Sequence, residues 1–159
     1  MAQVFIGIGS SINKAENIRS GITALRAEFA ILAVSPVYES EAIGFSGVNF
    51  YNLVAKLHTD LGTYELIQKL KNIEISHGRP KNALKFAPRT LDLDLLLYDQ
   101  QIDLKIDLPR AEILKNAFVL KPLAELAPTL THPILGETYQ VLWRNYPQKK
   151  QKLWKISLF

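Results

Sequence analysis

An α+β fold built on an antiparallel sheet is predicted by three features of the sequence. Two stretches carry apolar residues at helical spacing. Four apolar, β-rich stretches alternate with them. Glycines, prolines and polar clusters mark the boundaries between the two kinds.

Val4 to Ile8 is a short apolar run closed by Gly9-Ser10-Ser11, which predicts a buried strand. Residues 14–29 repeat Ile18, Ile22, Leu25 and Phe29 at helical spacing, and Asn13 with Glu16 three residues on has the form of a capping box. Ala30 to Tyr38 is β-rich and predicts a second strand, and residues 39–47 a glycine-containing loop. Asn49 to His58 alternates and predicts a third strand. Thr63 to His77 places Leu66, Leu70 and Ile73 on one helical face, with Gly78 where a C-cap belongs. The basic, proline-containing residues 79–88 predict a loop, and Thr90 to Tyr98 a fourth strand, with Leu91, Leu93, Leu95 and Leu97 turned to the core. The order β-α-β-β-α-β is the ferredoxin-like pattern, with both helices on one face of the sheet. Residues 99–159 predict an irregular C-terminal extension with a helical turn near 110–115, a helix near 119–127 and a basic tail carrying Trp143 and Trp154.

The chain has 159 residues, 48% hydrophobic and 21% charged, the balance of one globular domain with a sizeable core. A net charge of +4 suits an anionic partner such as a nucleotide. The lack of cysteine excludes disulfides, thiolate metal sites and cysteine nucleophiles. The N-terminus has no basic region ahead of its apolar stretch, and no apolar run approaches the ~20 residues of a membrane-spanning helix, so the expectation is a cytoplasmic protein with no membrane partner.

The chemistry is concentrated in the stretch PRTLDLDLLLY, residues 88–98. Asp92 and Asp94, two apart in a strand, share a face about 6.5–7 Å from each other. Like charges there repel unless a cation joins them, and Mg²⁺ is commonly held by one or two carboxylates together with substrate phosphates. Arg79, Lys81, Lys85 and Arg89 precede them closely, so acids and cations together suit phosphoryl transfer. No G-x-x-x-x-G-K-[ST] loop is present, and Gly7-Ile8-Gly9 is too short for a dinucleotide fingerprint. Split βαβ sheets also bind RNA, and the tail is basic and aromatic. The K/R-G-F-G-F strand signature is absent, however, and no nucleic-acid partner is expected.

Residues 88–94, Pro-Arg-Thr-Leu-Asp-Leu-Asp, carry the R-T-L-D-L-D signature of the 6-hydroxymethyl-7,8-dihydropterin pyrophosphokinases, which the chain resembles over roughly residues 3–142. Supporting matches are Gly7-x-Gly9-Ser10, Phe50-Tyr51-Asn52, Glu74-x-x-x-Gly78-Arg79 and Ala117-Phe118-Val119-Leu120-x-Pro122-Leu123. The resemblance implies a single pterin pyrophosphokinase domain over residues 1–159. It would transfer pyrophosphate from ATP to a hydroxymethyl-dihydropterin and release AMP, in folate synthesis and as a monomer. By the same resemblance Asp92 and Asp94 hold two Mg²⁺ ions and are catalytic together with Arg79 and Arg89. Asn52 bonds the pterin edge, Phe118 stacks on the ring, Phe50 lines the pocket, and the backbone of Ser40 and Ile43 completes the contacts. ATP is assigned to Lys71, Glu74, Arg79, Lys81, Phe86, Arg89 and Arg110. The chain departs from the family pattern at Ser11, Lys71, Phe86 and Ala87. Arg110 replaces a histidine, and Asn116 an arginine. These departures leave open a divergent paralogue with altered pterin choice, or a non-catalytic pterin- or nucleotide-binding role.

Overall fold

The computed structural model describes residues 1–41, 48–78 and 90–159. Helices pack against both faces of an antiparallel sheet. Strand β1 (Ala2–Ser10) leads into helix α1 (Lys14–Glu28), and β2 (Ala30–Val34), β3 (Val37–Glu41) and β4 (Asn49–Thr59) follow. Helix α2 (Thr63–Ser76) and β5 (Asp92–Tyr98) come next, then α3 (Glu112–Lys115), α4 (Ala117–Leu126), α5 (Tyr139–Asn145) and β6 (Leu153–Ile156). The sheet order is β5-β1-β4-β3-β6, with β2 pairing the far half of β4.

The sequence predicts one strand over 30–38, but the chain breaks it at Ser35-Pro36. Proline has no N–H to give to a ladder. Ser35 Oγ takes the Val54 N–H at 2.9 Å and the Ser35 N–H donates to the Val54 carbonyl, so the break leaves Val54 paired. Beyond it β3 runs to Glu41, so residues 39–41 are strand where a loop was expected. The capping box does not form. Asn13 is left-handed (φ 44°) and makes no side-chain cap; Asn17 Nδ2 instead donates to the Ile12 carbonyl at 2.7 Å. Gly78, at φ +90°, is the left-handed residue that ends α2, as expected.

Val4, Ile6 and Ile8 of β1, Leu53 and Leu57 of β4 and Leu91 and Leu93 meet Ile18, Leu25, Leu66 and Leu70 of the first two helices in one core. The other face is not left open, as the one-sided expectation had it. Phe5, Val54 and Leu96 pack there with Ile113, Leu120, Leu123 and Tyr139 of the C-terminal extension. Leu97 joins this second core rather than the first, because the ladder shifts register between Phe5 and Ile6: Phe5 opposes Leu97, Ile6 opposes Leu95, and Leu96 is the extra residue of a bulge. The tail, expected to be irregular, adds α5 and then β6, which extends the sheet with Leu153 opposite Ser40 and Lys155 opposite Tyr38.

Candidate active site

The register of β5 on β1 builds the site. Asp94 lies opposite Gly7 and Asp92 opposite Gly9. On the other side of β1, Gly9 lies opposite Asn52 of β4, and Asn52 opposite Tyr38 of β3. Asp92, Gly9, Asn52 and Tyr38 therefore form one row across the sheet. Neighbouring strands are ~4.8 Å apart, so the acid and the amide stand roughly 10 Å from each other. A Cβ on Gly9 would sit 2.7 Å from Asn52 Oδ1, which is the local reason for glycine there. The next residue, Ser10, is fully buried with its hydroxyl in reach of the Thr90 carbonyl, tying the end of β1 to the start of the acid-bearing strand.

On this same face, Phe50 alternates with Asn52 and Val54, and Phe118 opens the first turn of α4, half-buried against the second core. Two polar groups here are buried without a hydrogen-bond partner: Asn52 Nδ2 and the hydroxyl of Ser40. Unsatisfied buried polar atoms are costly, and a ligand with a polar edge would satisfy both.

The second half of the site lies along the outer edge of β5. A cavity of about 200 Å³ opens between α2 and the segment before α3, lined by Lys71, Glu74, Asp94, Ile106 and Arg110 among others. Glu74, buried, takes the Leu93 N–H at 2.7 Å and so occupies a ladder position that no strand among the described residues fills. Arg110 donates its own N–H to the Leu96 carbonyl and turns its guanidinium inward. Its Nη2 lies 3.4 Å from Asp94 Oδ1, its Nε 3.1 Å from Glu112 Oε2 and its Nη1 3.9 Å from Asp107. Burial pushes the Asp94 carboxyl well above the usual carboxylate range; Asp92, Glu112 and Glu74 push the same way, and Arg110 opposes them.

Of the residues expected at the site, Asp92, Asp94, Asn52, Phe50, Ser40 and Phe118 come together on one face, and Lys71, Glu74 and Arg110 gather at the adjoining cavity. Ile43, Arg79, Lys81, Lys85, Phe86 and Arg89 lie outside the described residues. Glu112 was not anticipated, although its spacing to Asn116, i to i+4 on a helix, is a signal. Asn116 Nδ2 donates to Glu112 Oε1 at 3.1 Å.

Paired carboxylates beside a cavity that gathers cations suit a transferase acting on phosphates, and comparison with known proteins gives that class a family. The profile of 7,8-dihydro-6-hydroxymethylpterin-pyrophosphokinase matches residues 5–128. The 2-amino-4-hydroxy-6-hydroxymethyldihydropteridine pyrophosphokinase of Aquifex aeolicus is 39% identical over 138 residues, 84% of this chain and 86% of that one. The Bacillus subtilis enzyme of the same name is 31% identical over 128 residues, 77% and 76% of the two chains. A crystal structure of Plasmodium falciparum HPPK-DHPS shares the fold at a TM-score of 0.68 and 12% identity, over 92% of this chain and 44% of the longer one. The chain belongs to the 7,8-dihydro-6-hydroxymethylpterin-pyrophosphokinase family.

The raised pKa of Asp94 fixes the sign of a stability effect. The folded protein holds the Asp94 proton to higher pH than the unfolded chain does. Stability therefore falls as pH climbs from the unfolded carboxylate range near ~4 through the folded value, and the loss persists at neutral pH. Asp94→Asn removes that penalty. Its melting temperature at pH 7 is expected to exceed wild type, with the gain vanishing as pH approaches ~4. Thermal unfolding followed by circular dichroism across pH checks this, and a lower melting temperature at pH 7 contradicts it.

Proposed function

We propose that the chain transfers the pyrophosphoryl group of ATP to the hydroxymethyl oxygen of 6-hydroxymethyl-7,8-dihydropterin, in folate biosynthesis. The alcohol oxygen forms a bond to the β-phosphorus of ATP, the bond from that phosphorus to the α,β-bridging oxygen breaks, the hydroxyl proton is released, and AMP leaves. The observation that carries this reading is the row Asp92–Gly9–Asn52, in which a buried, unpartnered amide donor stands roughly 10 Å from an acid pair. A flat heterocycle bound at Asn52 directs its side arm toward the carboxylates. Family membership supports catalysis over a divergent or silent paralogue.

In this reading Asn52 and the Ser40 hydroxyl bond the pterin edge, and Phe118 and Phe50 contact its faces. The backbone of Ser40 and Ile43 adds further contacts. Lys71, Glu74 and Arg110 line the nucleotide side, to which Arg79, Lys81, Phe86 and Arg89 also belong. Asp92 and Asp94 fit Mg²⁺. Among the described residues no group of three or more acids or histidines is placed to hold a metal unaided, and a pair of carboxylates completed by substrate phosphates is the ordinary magnesium donor set. Two such ions would neutralise phosphate charge between ATP and the alcohol. The protein's own part is positioning: no covalent intermediate is needed when the substrate supplies the nucleophile. We further propose one domain over residues 1–159, with its central strands in the ferredoxin-like arrangement, acting as a cytoplasmic monomer. Both cores share one sheet, which supports the single domain, and no helix among the described residues is long and apolar enough to cross a membrane.

Incubation with ATP, Mg²⁺ and the hydroxymethyl-dihydropterin is expected to yield AMP and the pterin diphosphate, and Asp92→Ala or Asp94→Ala to abolish both products while unfolding stays cooperative. Near-normal rates in both variants would refute the metal assignment.

Gly9→Ala drives a methyl into Asn52 Oδ1 and displaces the amide. Pterin affinity, by calorimetry, is expected to weaken about tenfold, the value of one lost buried hydrogen bond, while ATP affinity holds.

Arg110→Ala removes a charge-assisted contact of ~1.5–3 kcal/mol, so kcat/KM for ATP is expected to fall roughly 10- to 150-fold with pterin affinity unchanged. Steady-state kinetics with each substrate varied separates the two effects.

A further inference from the structure

Arg110 is held by a chain of contacts that begins in the C-terminal tail. Glu112 takes Arg110 Nε on one carboxylate oxygen and Asn116 Nδ2 on the other, each at 3.1 Å. Asn116 Oδ1 accepts from Gln151 Nε2 at 3.0 Å, and Gln151 Oε1 accepts the Ala117 N–H, the first of α4, at 2.7 Å.

The polarity of this chain is determined from both ends. A carboxylate only accepts, so Asn116 must turn its NH₂ to Glu112 and its oxygen to Gln151. A backbone N–H only donates, so Gln151 must turn its oxygen to Ala117 and its NH₂ to Asn116. One orientation of the two amides satisfies all four bonds, and flipping either amide breaks two of them. At the far end, Glu112 engages Nε of Arg110 and leaves the two terminal nitrogens directed at Asp94 and Asp107. Those terminal nitrogens are the pair an arginine offers a phosphate.

We propose that Gln151 is a positioning residue for ATP: through Asn116 and Glu112 it fixes the Arg110 guanidinium beside the acid pair, so the tail is part of the nucleotide site. This rests on the reading of Arg110 as a phosphate contact. Gln151 touches no substrate. It sits just ahead of β6, which is anchored on β3 from Val37 to Ser40, so the last strand of the sheet supplies the fixed end of the relay.

Two variants break the relay at different links. Gln151→Glu keeps an oxygen for the Ala117 N–H, and an acid at the N-terminus of α4 is favourable, but it cannot donate to Asn116. Asn116→Ala keeps the Gln151–Ala117 bond and frees Glu112. Affinity for a non-hydrolysable ATP analogue with Mg²⁺, measured by calorimetry, is expected to fall roughly 2- to 30-fold in each, the range for substitutions along a coupled network. Pterin affinity and the hydrogen-exchange protection of β6 are expected to be unchanged. In an Arg110→Ala background neither substitution is expected to weaken the analogue further, because its effect passes through Arg110. Equal losses with and without Arg110 would overturn the relay, as would wild-type affinity in both single variants. If Arg110→Ala alone leaves affinity unchanged, the phosphate role fails and the relay fails with it. If Arg110→Ala weakens binding while the other two variants do not, the relay alone is wrong.

Discussion

Asp92 and Asp94 stand on the same side of an edge strand, and the surrounding structure is arranged around their mutual repulsion. Their partners across β1 are Gly9 and Gly7, which have no side chains to separate the acids from the groups beyond. On the open side Arg110 approaches Asp94 to 3.4 Å, carried there by a segment whose main chain bonds the β5 edge at Leu96. Glu74 fills the neighbouring edge position at Leu93, which adds a third acid to the area rather than relieving it. One arginine thus opposes several carboxylates, and it only partly offsets the burial that, with Asp92 nearby, raises the Asp94 pKa. Two acids on one face favour a cation between them, since a positive charge there would relieve what the neighbouring groups leave unbalanced.

The C-terminal extension does two jobs with one set of contacts. Its helices close the second face of the sheet over Phe5, Val54 and Leu96, and α4 packs Phe118 against that same core. Its last strand covers the β3 edge, which removes an exposed ladder from solvent. Tyr38, on the row with Asn52, is locked to Glu125 of α4, and Lys155 of β6 reaches the same carboxylate at 3.3 Å. The sheet, α4 and the tail are therefore cross-linked at Tyr38 and Glu125, and again at Asn116 and Ala117 through Gln151.

Local signals made much of this legible. Helical spacing identified α1 and α2, and the alternation around Asp92 and Asp94 identified both the strand and its polar face. What escaped depended on long-range geometry. The bulge at Leu96, which sends Leu97 to the second core, follows from pairing with Phe5 and leaves no mark on a run of leucines. The break at Ser35-Pro36 did have a mark, since proline interrupts a ladder, and the run of β-formers on either side obscured it. The tail reads as irregular and basic because Leu153 and Ile156 are too few and too spaced to announce a strand without the β3 edge they cover. The residues gathered here divide the same way: Asp92, Asp94 and Asn52 stand out in sequence motifs, whereas Glu112 and Gln151 gain their contacts only from partners that folding brings near.

The exchange of residues at 110 and 116 has a coherent physical reading. The family pattern resembled by this chain has a histidine at the first position and an arginine at the second; here arginine comes first and asparagine second. Glu112 lies between them and bonds both. An arginine at 116 facing that carboxylate would compete with Arg110 for it and bring a second cation onto α4 beside Ala117, whose N–H already marks the positive end of the helix dipole. Asparagine keeps a donor for Glu112 without the charge, and its oxygen provides an acceptor that Gln151 fills. The two departures are thus coupled through one carboxylate: with the cation moved to 110, the residue at 116 must be neutral, must donate toward Glu112 and must accept from the tail. Asparagine meets all three requirements within the length of a short side chain.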